Sequence, residues 1–198
     1  MNQKLAAIIV GLIALFIGGT AAYFVTTPPA GEAPSPVASP AAANIVEFSL
    51  PDISGAPRHS SEWQGKARLI NFWATWCAPC RREIPLLKAT QEAHGADNVQ
   101  VIGIAVDFQE DVAQYAEETQ FNYPILVGQE DAMAIAETSG IDFIGMPFTM
   151  IVAPSGELIK AHIGEIVESH IDQIIDVFAE LESGRLDVDG AREALGAL

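Results

Sequence analysis

At 198 residues, with 10 Lys and Arg against 26 Asp and Glu and a net charge of −16, the chain is long enough for one domain plus flanking segments. It is too acidic to hold nucleic acid by charge. Its two cysteines exclude a structural zinc site built on four sulfurs. Leu5 to Val25 carries no charged residue and, at roughly 20 residues, is long enough to cross a bilayer. Lys4 and the amino terminus precede it, and no Lys or Arg falls between Thr26 and Pro57, a bias that exports everything after the apolar run. The expectation over residues 1–25 is an uncleaved anchor, a single pass of the bacterial cytoplasmic (inner) membrane. The rest then faces the periplasm or the exterior. Thr20-Ala21-Ala22 leaves a cleaved signal peptide as the alternative.

Residues 26–43 are rich in Pro, Ala and Ser and hold almost no large apolar side chain, the composition of an extended linker. Residues 44–198 form the expected working domain, and they alternate strands and helices. Ile45 to Leu50 reads as a strand, and Pro51 to Gly55 as a turn able to return it as a hairpin. Ser60 to Lys66 is a short polar connection. Ala67 to Trp73 is a buried strand, and Cys80 to about His94 a helix in which Pro85 predicts a kink. Val99 to Val106 is an unbroken apolar run of the kind buried in a parallel sheet. Helices are predicted over Gln109 to Thr119 and Glu130 to Thr138, with a strand from Tyr123 to Val127 between them. Phe148 to Ala153 and Leu158 to Ile163 form a hairpin across Pro154-Ser155-Gly156. Ile171, Ile174, Ile175 and Phe178 mark one face of a helix from Val167 to about Leu181. One more short helix follows Ser183. This alternation implies an α/β fold, a mixed central sheet with helices on both faces.

Chemistry concentrates at Trp76-Cys77-Ala78-Pro79-Cys80, which holds both cysteines. Two cysteines so spaced are a redox couple, half of a metal site, or a structural disulfide. A two-residue gap closes a ring too small to restrict the unfolded chain much, which makes a poor staple. The pair also sits where a strand gives way to a helix. Unpaired N–H groups and the helix dipole there favour a thiolate on the first sulfur, which suits attack on a disulfide and release by the second thiol.

The run from Asn71 to Pro85, Asn-Phe-Trp-Ala-Thr-Trp-Cys-Ala-Pro-Cys-Arg-Arg-Glu-Ile-Pro, resembles the active-site segment of the TlpA/ResA branch of the thioredoxin superfamily. These are membrane-anchored, extracytoplasmic thiol–disulfide oxidoreductases. Phe48-Ser49-Leu50-Pro51-Asp52, Gly145-Met146-Pro147-Phe148-Thr149 and Gly156 extend the likeness across the domain. The resemblance implies a thioredoxin-like fold with an N-terminal β-hairpin, and a helix–strand–helix insert from Gln109 to about Ile141. It implies that Cys77 is the nucleophile, exposed at the helix start, and that Cys80 is the resolving thiol. Trp76 shields the pair and packs beside the substrate, while Trp73 belongs to the core. Pro79 matches the proline of the reducing Cys-Gly-Pro-Cys motif. Pro147 matches the superfamily's cis-proline, which turns the Met146 backbone toward a substrate strand; Pro124 is expected trans. Asn71 stands where plain thioredoxin buries an Asp, and Glu83 matches the active-site glutamate of the ResA type, a proton carrier. A first-turn carboxylate stabilising the helix N-terminus is the other reading of Glu83. Arg81 and Arg82 either help hold the thiolate or face solvent. His59, His94, His162 and His170 are scattered without ligand spacing, and Met133, Met146 and Met150 suit packing.

The implied activity is reduction of exported protein disulfides, serving cytochrome c maturation or copper-site assembly. The redox-active Cys77/Cys80 pair is then the only cofactor needed. The implied partners are exported thiol proteins (apocytochrome c or copper-oxidase assembly factors) and a membrane thiol donor of the DsbD/CcdA kind. An alternative is a Cu(I) metallochaperone using Cys77 and Cys80 as soft ligands; otherwise no metal is expected. A thiol peroxidase fits less well, since peroxiredoxins place a threonine three residues before the reactive cysteine, where this chain has Ala74.

Overall fold

The computed structural model describes residues 46–198. The expected anchor, the linker and the first two residues of the expected domain lie outside the described residues. Among those described, no helix is long and apolar enough to cross a membrane.

Strand β1 (Ser49–Pro51) turns back into β2 (Pro57–His59) as an antiparallel hairpin. Asp52 makes the turn, because its side chain accepts from the Ser54 and Ala56 amides while its carbonyl accepts from Gly55 N. The polar connection that follows is not plain loop. Ser60–Trp63 forms one 3₁₀ turn, and Trp63 is drawn into the core beside Phe48, ring centroids 6.2 Å apart. One large aromatic outweighs five polar neighbours there.

The central sheet has the order β5-β4-β3-β6-β7. Strands β3 (Ala67–Trp73), β4 (Val99–Val106) and β5 (Ile125–Gly128) run parallel, and β6 (Phe148–Val152) and β7 (Leu158–Ile163) are antiparallel additions. Every residue of β3 is buried, as an apolar run covered on both faces requires. Helices α1 (Ala78–His94) and α4 (Glu168–Glu182) cover one face. They place Ile84, Leu87, Ile171 and Ile174 against Leu69, Trp73 and Val101. On the other face, α3 (Glu130–Thr138) and the hairpin segment bring Ala132, Ile135, Phe48 and Leu50 against Ile70, Phe72 and Ile104. The mixed sheet with helices on both faces is therefore present, as is the helix–strand–helix segment of α2 (Gln109–Thr119), β5 and α3. The short terminal helix is α5 (Val188–Ala194). Helix α1 runs through Pro85 without a break, the proline lying on its exposed side.

Gly103 of β4 lies in register with Asn71 and leaves room for the Trp73 indole. A Cβ there would stand 2.6 Å from Ile125 Cδ1 and 3.1 Å from Trp73 Nε1. Trp73 is further fixed by Tyr115 and Phe121, at centroid distances of 5.5 and 5.4 Å. Gly103→Ala should therefore destabilise the fold by about 1–3 kcal/mol, the usual cost of overpacking. The check is a lower urea midpoint at unchanged slope.

Candidate active site

Strand β3 ends at Trp73, and after three intervening residues Cys77 caps the N-terminus of α1. The Cys80 amide points at Cys77 Sγ from 3.3 Å, and Arg81 N donates to the Cys77 carbonyl at 3.1 Å. A donor aimed at that sulfur from a helix N-terminus stabilises negative charge on it. Cys77 and Cys80 are joined as a disulfide. Cys80 is wholly buried and Cys77 is only 6% exposed, so the expected exposed nucleophile shows just an edge. Neighbouring Trp76 is 70% exposed, whereas Trp73 belongs to the core.

A buried acid holds this loop in place. Asp107, directly after β4, accepts from Thr75 N at 2.9 Å and from Thr75 Oγ1 at 2.6 Å. Its other oxygen accepts from Phe108 N. Sequence reasoning missed Asp107; the available signal was an acid closing an otherwise apolar strand beside the cysteine loop.

Met146–Pro147 is the one cis peptide among the described residues, so Pro124 is trans as expected. Phe148 lies in register with Phe72 and stacks on it at 4.2 Å, which seats Pro147 beside the end of β3. Met146 packs, partly buried, against the core cluster that includes both cysteines.

Glu83, one turn after Cys80, points inward and is 1% exposed. Asn71 Nδ2 donates to its Oε1 at 2.7 Å, and Ile166 N donates to its Oε2 at 2.7 Å. Asn71 Nδ2 also donates to Thr149 Oγ1 at 3.0 Å, while Asn71 Oδ1 has no partner. Burial pushes the Glu83 carboxyl up to about 7, against the two hydrogen bonds that favour its ionised form. The first turn of α1 holds no acidic residue, so Glu83 is not the first-turn carboxylate of the other reading. Asn71 and Glu83 were singled out separately in the sequence, and the fold joins them.

The arginines do other work than facing the sulfur. Arg81 lies 5.4 Å over the Tyr115 ring. Arg82 pairs with Glu165, its Nε 3.1 Å from both carboxylate oxygens. Two of the four scattered histidines also come together, the His162 and His170 rings lying 4.5 Å apart. Burial, then the neighbouring His170, holds His162 below the usual imidazole range. Met150 is core and Met133 half-buried. Among the described residues, no group of three or more His, Cys, Asp or Glu could hold a metal ion.

The AhpC/TSA family matches residues 41–161. The thiol-disulfide oxidoreductase ResA of Geobacillus kaustophilus is 28% identical over 113 residues, 57% of this chain and 63% of that protein. The thioredoxin-like protein YneN of Bacillus subtilis is 30% identical over 121 residues, covering 59% and 68%. The chain spans a little under two thirds of the ResA protein's length. Among solved structures, a thiol:disulfide interchange protein of the thioredoxin family from Chlorobium tepidum TLS superposes with a TM-score of 0.61 at 28% identity, over 67% of this chain and 92% of that one. A thiol:disulfide interchange protein from a Bacteroides species shares the fold, with a TM-score of 0.56 at 23% identity over 76% and 92%.

The buried carboxyl makes stability depend on pH. Its folded value of about 7 lies above the ordinary 4.5, so folding favours the protonated form. That contribution is complete below about 4.5 and is lost as pH rises through about 7. Between about pH 5 and about pH 8 the wild type should lose on the order of 2 kcal/mol of unfolding free energy relative to Glu83→Gln. Urea unfolding of both proteins at the two pH values measures this. Parallel pH courses would mean that Glu83 stays ionised in the fold.

Proposed function

The chain belongs to the AhpC/TSA family, and from that premise we propose that it is a thiol–disulfide oxidoreductase, working as a reductase of protein disulfides. The observation that carries this reading is the Cys77–Cys80 disulfide at the start of α1, with only an edge of Cys77 reaching the surface and a buried carboxyl pushed up to about 7 one turn after Cys80. In the reduced protein the Cys77 thiolate attacks a substrate disulfide. A mixed disulfide forms, and the first substrate sulfur leaves as a thiolate and takes a proton. Cys80 then gives its proton to the Glu83 carboxylate and attacks Cys77 Sγ. The mixed disulfide breaks, the Cys77–Cys80 disulfide forms, and the second substrate sulfur is released and protonated. Two electrons have passed to the substrate, with one proton drawn from the solvent and one from Cys80 by way of Glu83, which ends as the carboxylate again.

The setting favours a polypeptide substrate. Trp76, Phe108, Ile144 and Ile163 are exposed apolar side chains at the end of the sheet where Cys77 emerges. The cis bond at Pro147 leaves the Met146 backbone beside them for strand-like pairing. The peroxidase reading gains nothing here, because Ala74 is wholly buried and brings no hydroxyl to Cys77. Pro79, which matches the proline of the reducing Cys-Gly-Pro-Cys motif, supports reduction over oxidation. The two cysteines of this sequence provide no third thiol for self-reduction, so the cycle needs a dithiol donor, and a membrane transporter of the DsbD/CcdA kind suits it. The uncharged stretch from Leu5 to Val25 supports an anchor in the cytoplasmic membrane with the reductase outside, acting on apocytochrome c or copper-oxidase assembly factors.

Two expected outcomes test this. Cys80→Ser should accumulate a mixed disulfide through Cys77 with a disulfide-bonded protein, seen on a non-reducing gel, while Cys77→Ser traps nothing and loses more than about a hundredfold in reduction rate. Free turnover by Cys77→Ser would end the proposal. Glu83→Gln should keep the fold but flatten the pH dependence of substrate reduction around neutrality. An unchanged profile would remove Glu83 from proton transfer.

A further inference from the structure

We propose that Arg82 and Glu165 are positioning residues for Glu83, their ion pair clamping the turn between β7 and α4 so that the Ile166 amide stays on the buried carboxylate. The inference rests on Glu83 as the proton carrier of the proposed reaction.

Four residues, Gly164 to Val167, connect β7 to α4, and they touch the site at several points. Gly164 N donates to the Pro147 carbonyl at 2.8 Å. Ile166 N donates to Glu83 Oε2 at 2.7 Å. Glu165 forms the ion pair with Arg82. Adjacent residues of the turn therefore grip adjacent residues of α1. Successive helix positions point about 100° apart, so Glu83 is taken from inside and Arg82 from outside. The turn needs such a grip. Gly164 sits at φ +111°, and the chain makes its own first helical bonds only from His170 N and Ile171 N to the Val167 carbonyl. The Ile166 side chain is buried, which fixes how deep the turn sits, and the guanidinium–carboxylate fork fixes its rotation. An exposed ion pair adds little net stability. Its role here is orientation of one N–H group.

The groups facing Glu83 are few. Asn71, itself bonded to Thr149, approaches from the sheet, Tyr123 from before β5, and Glu165 from the turn. His162 and His170 lie behind that turn, with His162 Nε2 3.5 Å from the Glu165 carbonyl and the His170 ring accepting from Val167 N at 3.4 Å. Losing Arg82 would leave the Glu165 charge unpaired and free the turn. Both changes disfavour ionised Glu83.

The experiment is carbon-13 NMR titration of the Glu83 carboxyl in the oxidised full chain, with hydrogen exchange of the Ile166 amide. In Arg82→Gln the Glu83 midpoint should move up by about half a pH unit or more. Ile166 exchange should rise by about tenfold while that of Ile171 holds. The charge-swapped double variant, Arg82→Glu with Glu165→Arg, should restore Ile166 protection. Unchanged titration and exchange in Arg82→Gln would overturn the clamp, as would equal acceleration at Ile171, which means general loosening. Neither readout uses turnover, so the two readings separate. A moved midpoint with an unmoved pH profile of substrate reduction keeps the clamp and removes the proton role from Glu83.

Discussion

A carboxyl group held away from water is costly unless donors meet it, and Glu83 imposes that demand on four separate parts of the chain. The helix carrying it, the centre of β3 through Asn71 and the turn before α4 through Ile166 meet at one side chain, and the start of β6 is tied in through the bond from Asn71 to Thr149. The compromise is partial: two hydrogen bonds pull toward the ionised form, yet desolvation wins and holds the group near neutrality. A fully satisfied carboxylate would be locked as an anion, and one with no donors would be locked as an acid. This intermediate setting suits a group that must change state within a reaction cycle.

The cysteine loop is secured by a second buried acid with the opposite duty. Asp107 accepts from both the amide and the hydroxyl of Thr75 and so ties the end of β3 to the end of β4. The sheet supplies rigidity and the two acids divide the labour: one fixes where Cys77 stands, and the other, in the reaction proposed above, takes a proton from Cys80. The apolar side chains around them remain free for a partner.

Local pattern carried most of the fold. β3, β4, β7, α2 and α3 have the limits their apolar spacing predicts, because each is a self-contained periodic run between turn residues. The cysteine pair, the cis-proline and the glutamate were legible through their motif. What a single sequence could not show was pairing across distance. Asn71 and Thr149 are 78 residues apart, and Glu83 and Ile166 are 83 apart. The contact through Ile166 uses its backbone, which no residue type announces. The pairing of Arg82, read as either holding the thiolate or facing solvent, was hidden because its partner is also 83 positions away. Trp63 was hidden inside a polar stretch, its burial decided by Phe48 and the sheet face beneath it.

Cys80 shows no surface at all, while Cys77 shows an edge. In the reaction proposed above, this asymmetry makes the site a single port. A substrate disulfide and the dithiol that recharges the protein must use the same sulfur, one after the other, and each must leave before its counterpart arrives. Their traffic is therefore mutually exclusive, a two-stroke exchange in which a crowded donor and a crowded acceptor inhibit one another by occupying the same doorway.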